Sequence, residues 1–256
     1  MIKLTSARNS LLGFSLIEMA IVLFIVTLLL GGLLPALSSQ VEQQRTNDTR
    51  KQLDEIQQAL IGYAIINGRL PCPASATSNG VEDPAFVTGT CTHPYDGFVP
   101  AATLGISSGV DNQGNTGFSV DSWNNRIHYA VTQANSKAFT TANLMSKTGI
   151  SNLNPDLLVC STASANSSSC SVANSSLTSS PGVPVVIYST GKNGASGGTG
   201  NDEAANPNPN STNNDRVFVS HTPTPSTAPN GEFDDIVIWI SPNILINRMV
   251  AAGKLP

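Results

Sequence analysis

Charged and aromatic residues are scarce in this 256-residue sequence. They make up 12% and 5% of it, and the formal net charge is −4. The 13 lysine and arginine residues form no basic cluster, so the sequence indicates no nucleic-acid partner. Outside residues 11–37 the chain is rich in serine, threonine, asparagine, glycine and proline. This composition favours a loop-rich extracytoplasmic domain over a cytosolic enzyme.

A small-residue cleavage site is missing behind the long hydrophobic run, which argues against an ordinary secretory signal. The run covers residues 14–37 and follows the basic residues Lys3 and Arg8. It has the length of about 20 residues that crosses a bilayer, and the positive-inside rule keeps its N-terminus cytoplasmic. We therefore expect a single-pass inner-membrane protein with a periplasmic C-terminal domain. A plain signal anchor leaves Glu18 unexplained, because a carboxylate in a bilayer costs about 2.5–3.5 kcal/mol or more.

The residues around this glutamate suggest an explanation. The sequence Gly13-Phe14-Ser15-Leu16-Ile17-Glu18 resembles the cleavage and methylation motif of type IV prepilins and type II secretion pseudopilins. The close resemblance covers roughly residues 1–66. It implies that a prepilin peptidase removes residues 1–13 as a leader, cutting between Gly13 and Phe14, and that the new N-terminal Phe14 is N-methylated.

The same resemblance gives Glu18 a role in assembly. It implies that the Glu18 carboxylate pairs with the N-terminal amine of Phe14, either in its own subunit or in a neighbouring one. Such a pair neutralises two charges that are both costly to bury. It also fixes the axial register of packed helices, as buried polar residues do in coiled coils.

We expect a long helix with two parts, residues 14–37 for membrane insertion and assembly and residues 38–66 as an amphipathic continuation. Gly31, Gly32 and Pro35 predict a kink between them, because proline removes a helix hydrogen bond and glycine weakens the helix. In the second part, apolar residues recur at spacings of three and four, which is typical of a helix laid on a globular domain. They include Val41, Leu53, Ile56, Leu60, Tyr63 and Ala64.

Residues 67–256 are expected to form one exported globular domain. Runs rich in β-branched residues and flanked by turn residues predict strands, and these lie at 127–132, 157–160, 183–189, 216–221 and 235–240. A closing helix is predicted at residues 243–252. The expected fold class is α+β: a long N-terminal helix, membrane-spanning in its first half and amphipathic in its second, packed on an antiparallel sheet with long loops.

The four cysteines are Cys72, Cys91, Cys160 and Cys170. Their spacing shows no zinc pattern, and an exported chain permits disulfides. Of the three possible connectivities we predict the local one, Cys72 with Cys91 and Cys160 with Cys170, because each link closes a loop that lacks regular structure. Four free buried thiols are the alternative.

A second, weaker resemblance concerns calcium. Residues 188–203 and 233–236 follow the order of the calcium loop of the major pseudopilin. The resemblance implies Asp202, Asp234 and Asp235 as ligands, with Glu203 as a spare. Lys192 and a long inserted loop depart from the pattern. No other cofactor is expected.

The sequence predicts a non-enzymatic fibre subunit of a type IV pilus or type II secretion pseudopilus. Its partners would be a prepilin peptidase and methyltransferase, other pilin or pseudopilin subunits, and the inner membrane. One alternative is a single-span periplasmic domain that never polymerises. Another is an anchored serine hydrolase, since two Gly-x-Ser-x-Gly patterns centre on Ser107 and Ser196, with His221 as the base.

Overall fold

The computed structural model describes residues 14–85, 89–163, 168–170, 175–194, 200–206 and 215–256, and of residues 30–37 only the backbone. Contacts divide the chain into two units, Met1–Gln44 and Arg45–Pro256. The helices and strands are α1 (Leu16–Asn67), β1 (Gly97–Phe98), α2 (Ala101–Leu104), β2 (Gly109–Val110), β3 (Thr116–Phe118), β4 (His128–Val131), α3 (Ala134–Lys137), α4 (Leu144–Thr148), β5 (Leu158–Cys160), β6 (Val185–Ser189), β7 (Val217–Val219), β8 (Ile236–Ile240) and α5 (Pro242–Ala251).

The core of the second unit forms between the C-terminal part of α1 and a sheet of four antiparallel strands, in the order β1-β4-β6-β8. Tyr129 in β4 is opposite Ile187 in β6, and Ile187 is opposite Ile238 in β8. Residues directly opposite one another share a face of the sheet. This face and the apolar residues of α1 belong to one cluster, whose helical members are Leu53, Ile56, Leu60, Ile61 and Ala64. The spacing of three and four predicted for this part of the helix places them on one side.

The opposite face of the sheet carries a second cluster. Ala130, Val186 and Tyr188 point to this side, and Val159 and Phe218 pack against them. These last two residues lie on β5 and β7, which pair with each other in parallel. The sheet is therefore covered on both faces, except near the C-terminal end of β1 and the N-terminal end of β4, where a cavity opens.

Five predicted strands correspond to β4, β5, β6, β7 and β8, and the predicted closing helix corresponds to α5. The prediction missed β1, β2 and β3, which have only two or three residues. It also missed the parallel pairing of β5 with β7.

The predicted membrane-spanning first half of the long helix is wrong. In the part of the chain that the structure describes, no helix is long and apolar enough to cross a membrane. A crossing helix needs about 20 consecutive apolar residues. In the N-terminal part of α1, the described run of apolar side chains extends from Leu16 to Leu29, and from Ser38 onwards apolar and polar residues are mixed. The single-pass inner-membrane localisation was inferred from that span and is corrected with it. The kink predicted at Gly31, Gly32 and Pro35 falls where no side chain is described and stays a prediction.

Both predicted disulfides are present, Cys72–Cys91 and Cys160–Cys170. The first closes 19 residues of sequence and the second closes 10. Closing loops of this size restricts the unfolded chain. Cys72, which follows α1, also donates its backbone N–H to the Glu82 carboxylate at 3.0 Å. The first bridge therefore lies beside a buried charged residue.

Replacing both cysteines of one bridge with alanine is expected to lower the free energy of unfolding by about 3 kcal/mol. The loss should be larger for Cys72 with Cys91, because the closed loop is longer and both side chains are buried. Urea unfolding of the two double variants measures the effect. Peptide mapping without reductant should give the same two links, and a link from Cys72 to Cys160 or Cys170 would contradict the assignment.

Candidate functional site

Three carboxylates come together at the edge of the four-stranded sheet where β6 ends and β8 begins. Glu203 opens a short 3₁₀ turn (Glu203–Ala205), and Asp234 and Asp235 directly precede β8. One oxygen from each carboxylate lies within 4.8 Å of the other two. Because β8 starts after Asp235, strand alternation does not force the two aspartates to opposite faces.

Neighbouring groups hold the carboxylates in place without neutralising them. Asn206 Nδ2 donates to Asp235 Oδ2 at 2.7 Å, and the backbone N–H of Lys192 donates to Asp234 Oδ2 at 2.9 Å. Asp234 donates its own backbone N–H to Glu203 Oε1 at 3.4 Å. The remaining oxygens, Oδ1 of Asp234 and Oδ1 of Asp235, are buried and have no hydrogen-bond partner among the described residues.

The loop after β6 approaches Asp234 so closely that only glycine fits there. Gly191 has φ +62°, and a Cβ at this position would lie 2.2 Å from Asp234 Oδ1. Glycine adopts positive φ at no steric cost. The first part of the predicted calcium loop, which begins at residue 188, therefore reaches the acidic cluster through the backbone of Gly191 and Lys192.

Burial makes this concentration of negative charge unfavourable. It raises the pKa of Asp234 to about 7, with further contributions from a hydrogen bond to Glu203 and from the charge of that residue. Burial likewise raises the pKa of Asp235 to about 8, and the charges of Glu203 and Asp234 add to the effect. Acids with raised pKa values bind more protons when folded than when unfolded. This cluster therefore destabilises the fold increasingly as the pH rises from about 4 to about 8.

A divalent cation would remove that penalty, and the donor set fits calcium. Calcium takes six to eight hard oxygen ligands from carboxylates, carbonyls and water. Glu203, Asp234 and Asp235 supply carboxylate oxygens, two of which are buried and unpartnered among the described residues. These three residues would hold the ion, whose role would be to stabilise the fold.

Neither a scan of protein-family models, nor a search of curated proteins, nor a search of solved structures finds a match for this chain.

Asp202 does not join the cluster, in contrast to the prediction. Its Oδ1 accepts hydrogen bonds from the Thr162 hydroxyl at 2.9 Å and the Ala163 backbone at 2.6 Å. Its Oδ2 accepts from Asn230 at 2.9 Å and lies 3.4 Å from His221 Nε2. These donors outweigh burial and lower the pKa of Asp202. Glu203, which the sequence suggested only as a spare ligand, takes the third place instead.

Of the residues proposed for a serine hydrolase, Ser107 and His221 are described, and they have different neighbours. Ser107 lines a cavity of about 170 Å³ with Gln52 and Ser119. His221 pairs with Asp202 and stacks on Phe233 at 3.9 Å between ring centroids. Ser196 and the processing residue Gly13 lie outside the described residues.

At the other end of the chain, Glu18 takes part in a feature that the prediction missed. Its carboxylate accepts the backbone N–H of Ser15 at 2.8 Å, and its own N–H donates to the Ser15 hydroxyl at 3.2 Å. This reciprocal pair is a capping box, and the Ser-x-x-Glu spacing in the sequence is its signature. The bond from the Ser15 backbone lowers the pKa of Glu18, so the carboxylate is ionised at neutral pH.

Calcium is expected to raise the melting temperature of the protein. A ligand at about 100 times its dissociation constant adds roughly 2.7 kcal/mol if it binds only the folded state. Asp234→Asn should raise the midpoint in chelator, because it removes one of the repelling charges, and should abolish the calcium-dependent gain. Asp54→Asn, at an exposed position on α1, is the matched control and should leave the gain unchanged. Thermal unfolding at pH 7.5 in millimolar calcium and in chelator measures this, and equal midpoints for the unchanged protein would contradict the site.

Proposed function

We propose that this chain is a non-enzymatic structural subunit of a type IV pilus or a type II secretion pseudopilus. In this proposal a prepilin peptidase and methyltransferase cleaves the chain after Gly13 and methylates Phe14. Subunits then assemble through their N-terminal helices. The observation that carries the proposal is the exposed apolar N-terminal part of α1, which begins within the sequence Gly13-Phe14-Ser15-Leu16-Ile17-Glu18.

The large apolar side chains between Phe14 and Leu29 are 42% to 90% exposed. A soluble protein rarely leaves a contiguous apolar patch of this extent uncovered, and such patches mark interaction surfaces. Burying one large aliphatic side chain contributes about 1.5–3 kcal/mol. Eleven large apolar side chains are exposed on α1 between Leu16 and Leu29, and they would therefore supply a large driving force for association.

Other copies of the same helix suit this surface. Its apolar residues occur on all sides, since consecutive residues Ile21 to Val26 are all exposed. A helix that is hydrophobic all round is stable when surrounded on every side. The interior of a helical fibre offers that environment, because each subunit helix is enclosed by equivalent helices of its neighbours.

Glu18 gives such a bundle a polar contact. Its carboxylate is exposed and ionised in the single chain. When the helices pack, this charge needs a partner, because an isolated ion is costly in an apolar interior. Cleavage after Gly13 would create that partner, the amine of Phe14, which stays positively charged when methylated. In this proposal the cleavage site and Glu18 therefore act together, because cleavage creates the amine that the carboxylate neutralises.

Cleavage is expected to tolerate Gly13→Ala far better than Gly13→Val. A peptidase that cuts behind residue 13 must accommodate its side chain, and valine is both larger and branched at Cβ. Co-expression with a prepilin peptidase, followed by electrophoresis, measures the processed fraction. Gly62→Val is the control, because a Cβ at Gly62 meets no atom within 4 Å. Equal processing of the alanine and valine variants would contradict cleavage at this position.

A further inference from the structure

A cavity of about 530 Å³ opens on the face of the four-stranded sheet opposite α1. Ligand sites usually measure about 300–1,000 Å³ and combine an apolar floor with a few polar groups. Nothing in the proposed fibre role uses this cavity. It is separate from the acidic cluster, since its lining contains none of Glu203, Asp234 or Asp235.

The floor of the cavity is aromatic. Phe98 is opposite His128 in the register of β1 with β4, and His128 is opposite Tyr188 in the register of β4 with β6. The three rings therefore stand in one row on one face. Ring centroids are 4.8 Å apart for Phe98 and His128 and 4.6 Å for His128 and Tyr188, which are stacked with 11° between planes. Burial, and to a smaller degree the charge of Arg126, lowers the pKa of His128 to about 4. The imidazole is therefore neutral at physiological pH.

The charges in the cavity wall cancel. Arg126 Nε donates to Asp111 Oδ2 at 2.6 Å, and the two side chains are only 11% and 4% exposed. The guanidinium also lies 4.0 Å from the centroid of the Phe118 ring and donates to the Ala76 carbonyl at 3.2 Å. Both charges thus already have close partners. The cavity offers no uncompensated charge among its described lining residues, which disfavours an ionic ligand.

Two tight turns, residues 111–114 and 121–124, form the polar rim, and hydrogen bonds hold them in position. Asp111 Oδ1 accepts the backbone N–H groups of Gln113 and Asn115 at 2.9 and 2.7 Å. Asn112 Nδ2 donates to Asn125 Oδ1 at 2.8 Å, and Asn125 Nδ2 donates to the Gly191 carbonyl at 2.6 Å. This network joins both turns to the loop after β6. A rim held in this way loses little conformational freedom when a ligand binds.

Two amides on the rim remain available. The side chains of Gln113 and Asn124 are exposed and line the cavity. Their amide groups have no hydrogen-bond partner among the described residues. Each amide offers a carbonyl acceptor and two N–H donors. Together they match a ligand that has many groups able both to donate and to accept.

We propose that this cavity, with Phe98 and His128 as its floor and Gln113 and Asn124 on its rim, binds a neutral saccharide. A pyranose ring has an apolar C–H face and an edge of hydroxyl groups. The C–H face suits the apolar floor that Phe98 and His128 form, and the hydroxyl groups suit the amides of Gln113 and Asn124. An apolar ligand would make no use of these exposed amides, and an anionic one would find Arg126, the cation among the described lining residues, already paired with Asp111.

The test uses the full-length chain in a detergent whose headgroup carries no sugar. Neutral trisaccharides of glucose, galactose, mannose and N-acetylglucosamine are the probes, with sulfated and uronic-acid trisaccharides beside them. Calorimetry and saturation-transfer NMR measure binding up to about 10 mM, since single weak sites lie in the millimolar range. Ala76→Trp blocks the cavity mouth from an exposed position, and Gln113→Ala removes one free amide. Ala251→Trp and Gln58→Ala, both exposed and outside the cavity lining, are the matched controls.

At least one neutral trisaccharide is expected to bind. Gln113→Ala should weaken that binding by about three- to tenfold, the loss of one hydrogen bond, and Ala76→Trp should abolish it. Both control variants should bind as the unchanged protein does. The proposal is overturned if no neutral trisaccharide binds, if only the acidic ones bind, or if Ala76→Trp leaves the affinity unchanged. None of these outcomes affects the fibre proposal, which does not depend on this cavity.

Discussion

Replacing Arg69 with alanine is expected to lower the free energy of unfolding by about 3–5 kcal/mol, because it leaves the buried Glu82 carboxylate without its cation. The guanidinium donates twice to this carboxylate, at 2.8 Å from Nη1 and 2.7 Å from Nη2. The two side chains are 6% and 8% exposed. Glu82 also accepts the backbone N–H of Cys72 and the Tyr63 hydroxyl. The pair therefore connects the end of α1 to the first disulfide loop.

A partly exposed ion pair provides the comparison. Arg216 bonds to Asp156 with side chains 32% and 25% exposed, and water competes for both charges. Arg216→Ala should cost about 1 kcal/mol or less. The double replacement Arg69→Met with Glu82→Leu should cost less than Arg69→Ala alone, since it leaves no unpaired buried charge. Chemical unfolding of all these variants measures the differences. Equal losses of unfolding free energy for Arg69→Ala and Arg216→Ala would contradict the claim that burial makes the loss of the Arg69 cation more costly.

Glu18→Gln is expected to reduce fibre assembly by about 100-fold or more, the equivalent of breaking a buried ion pair. This substitution separates two roles of the residue. Glutamine can still complete the capping box with Ser15, so the start of α1 should be preserved. It cannot neutralise the Phe14 amine, so packed helices would contain an unpaired charge.

Glu18→Val removes both the charge and the cap, and the difference between the two variants reports the cap alone. Glu55→Gln, at an exposed position on the same helix, is the control for loss of a negative charge and should assemble normally. The fraction of subunits in sheared, sedimented fibres gives the measurement. Entry of Glu18→Gln subunits into fibres at the rate of the unchanged protein would contradict the charge-pairing role.

Each strand that local sequence predicted contains valine or isoleucine and no glycine, whereas each of the three that it missed contains glycine, which is depleted in strands. β6 and β8 have five residues each, rich in valine and isoleucine, and their turn-rich flanks mark where they end. β1 is Gly97–Phe98 and exists because His128 and Tyr129 pair with it. Its two residues show no alternation. The parallel pairing of Leu158 with Val217 joins segments far apart in sequence, and no local rule specifies such a partner.

The acidic cluster was also predictable from the sequence only in part. Asp234 and Asp235 are neighbours in sequence and were predicted together, whereas Glu203 reaches them from a separate turn. In a 3₁₀ turn, successive side chains point about 120° apart. Asp202 and Glu203 therefore face different partners, Thr162 and Asn230 for the first and Asp234 for the second. Both acids are buried, and which of them faces Asp234 depends on those tertiary partners, which the sequence does not display.

The mass of the N-terminal peptide, taken from protein produced together with a prepilin peptidase and methyltransferase, tests the fibre proposal most directly. The proposal predicts a chain that begins at Phe14 and carries one additional methyl group on its α-amine. Both the Phe14 amine and the Glu18 carboxylate would then be in place for assembly. A chain that still begins at Met1, or that is cut at any other position, would contradict the proposal.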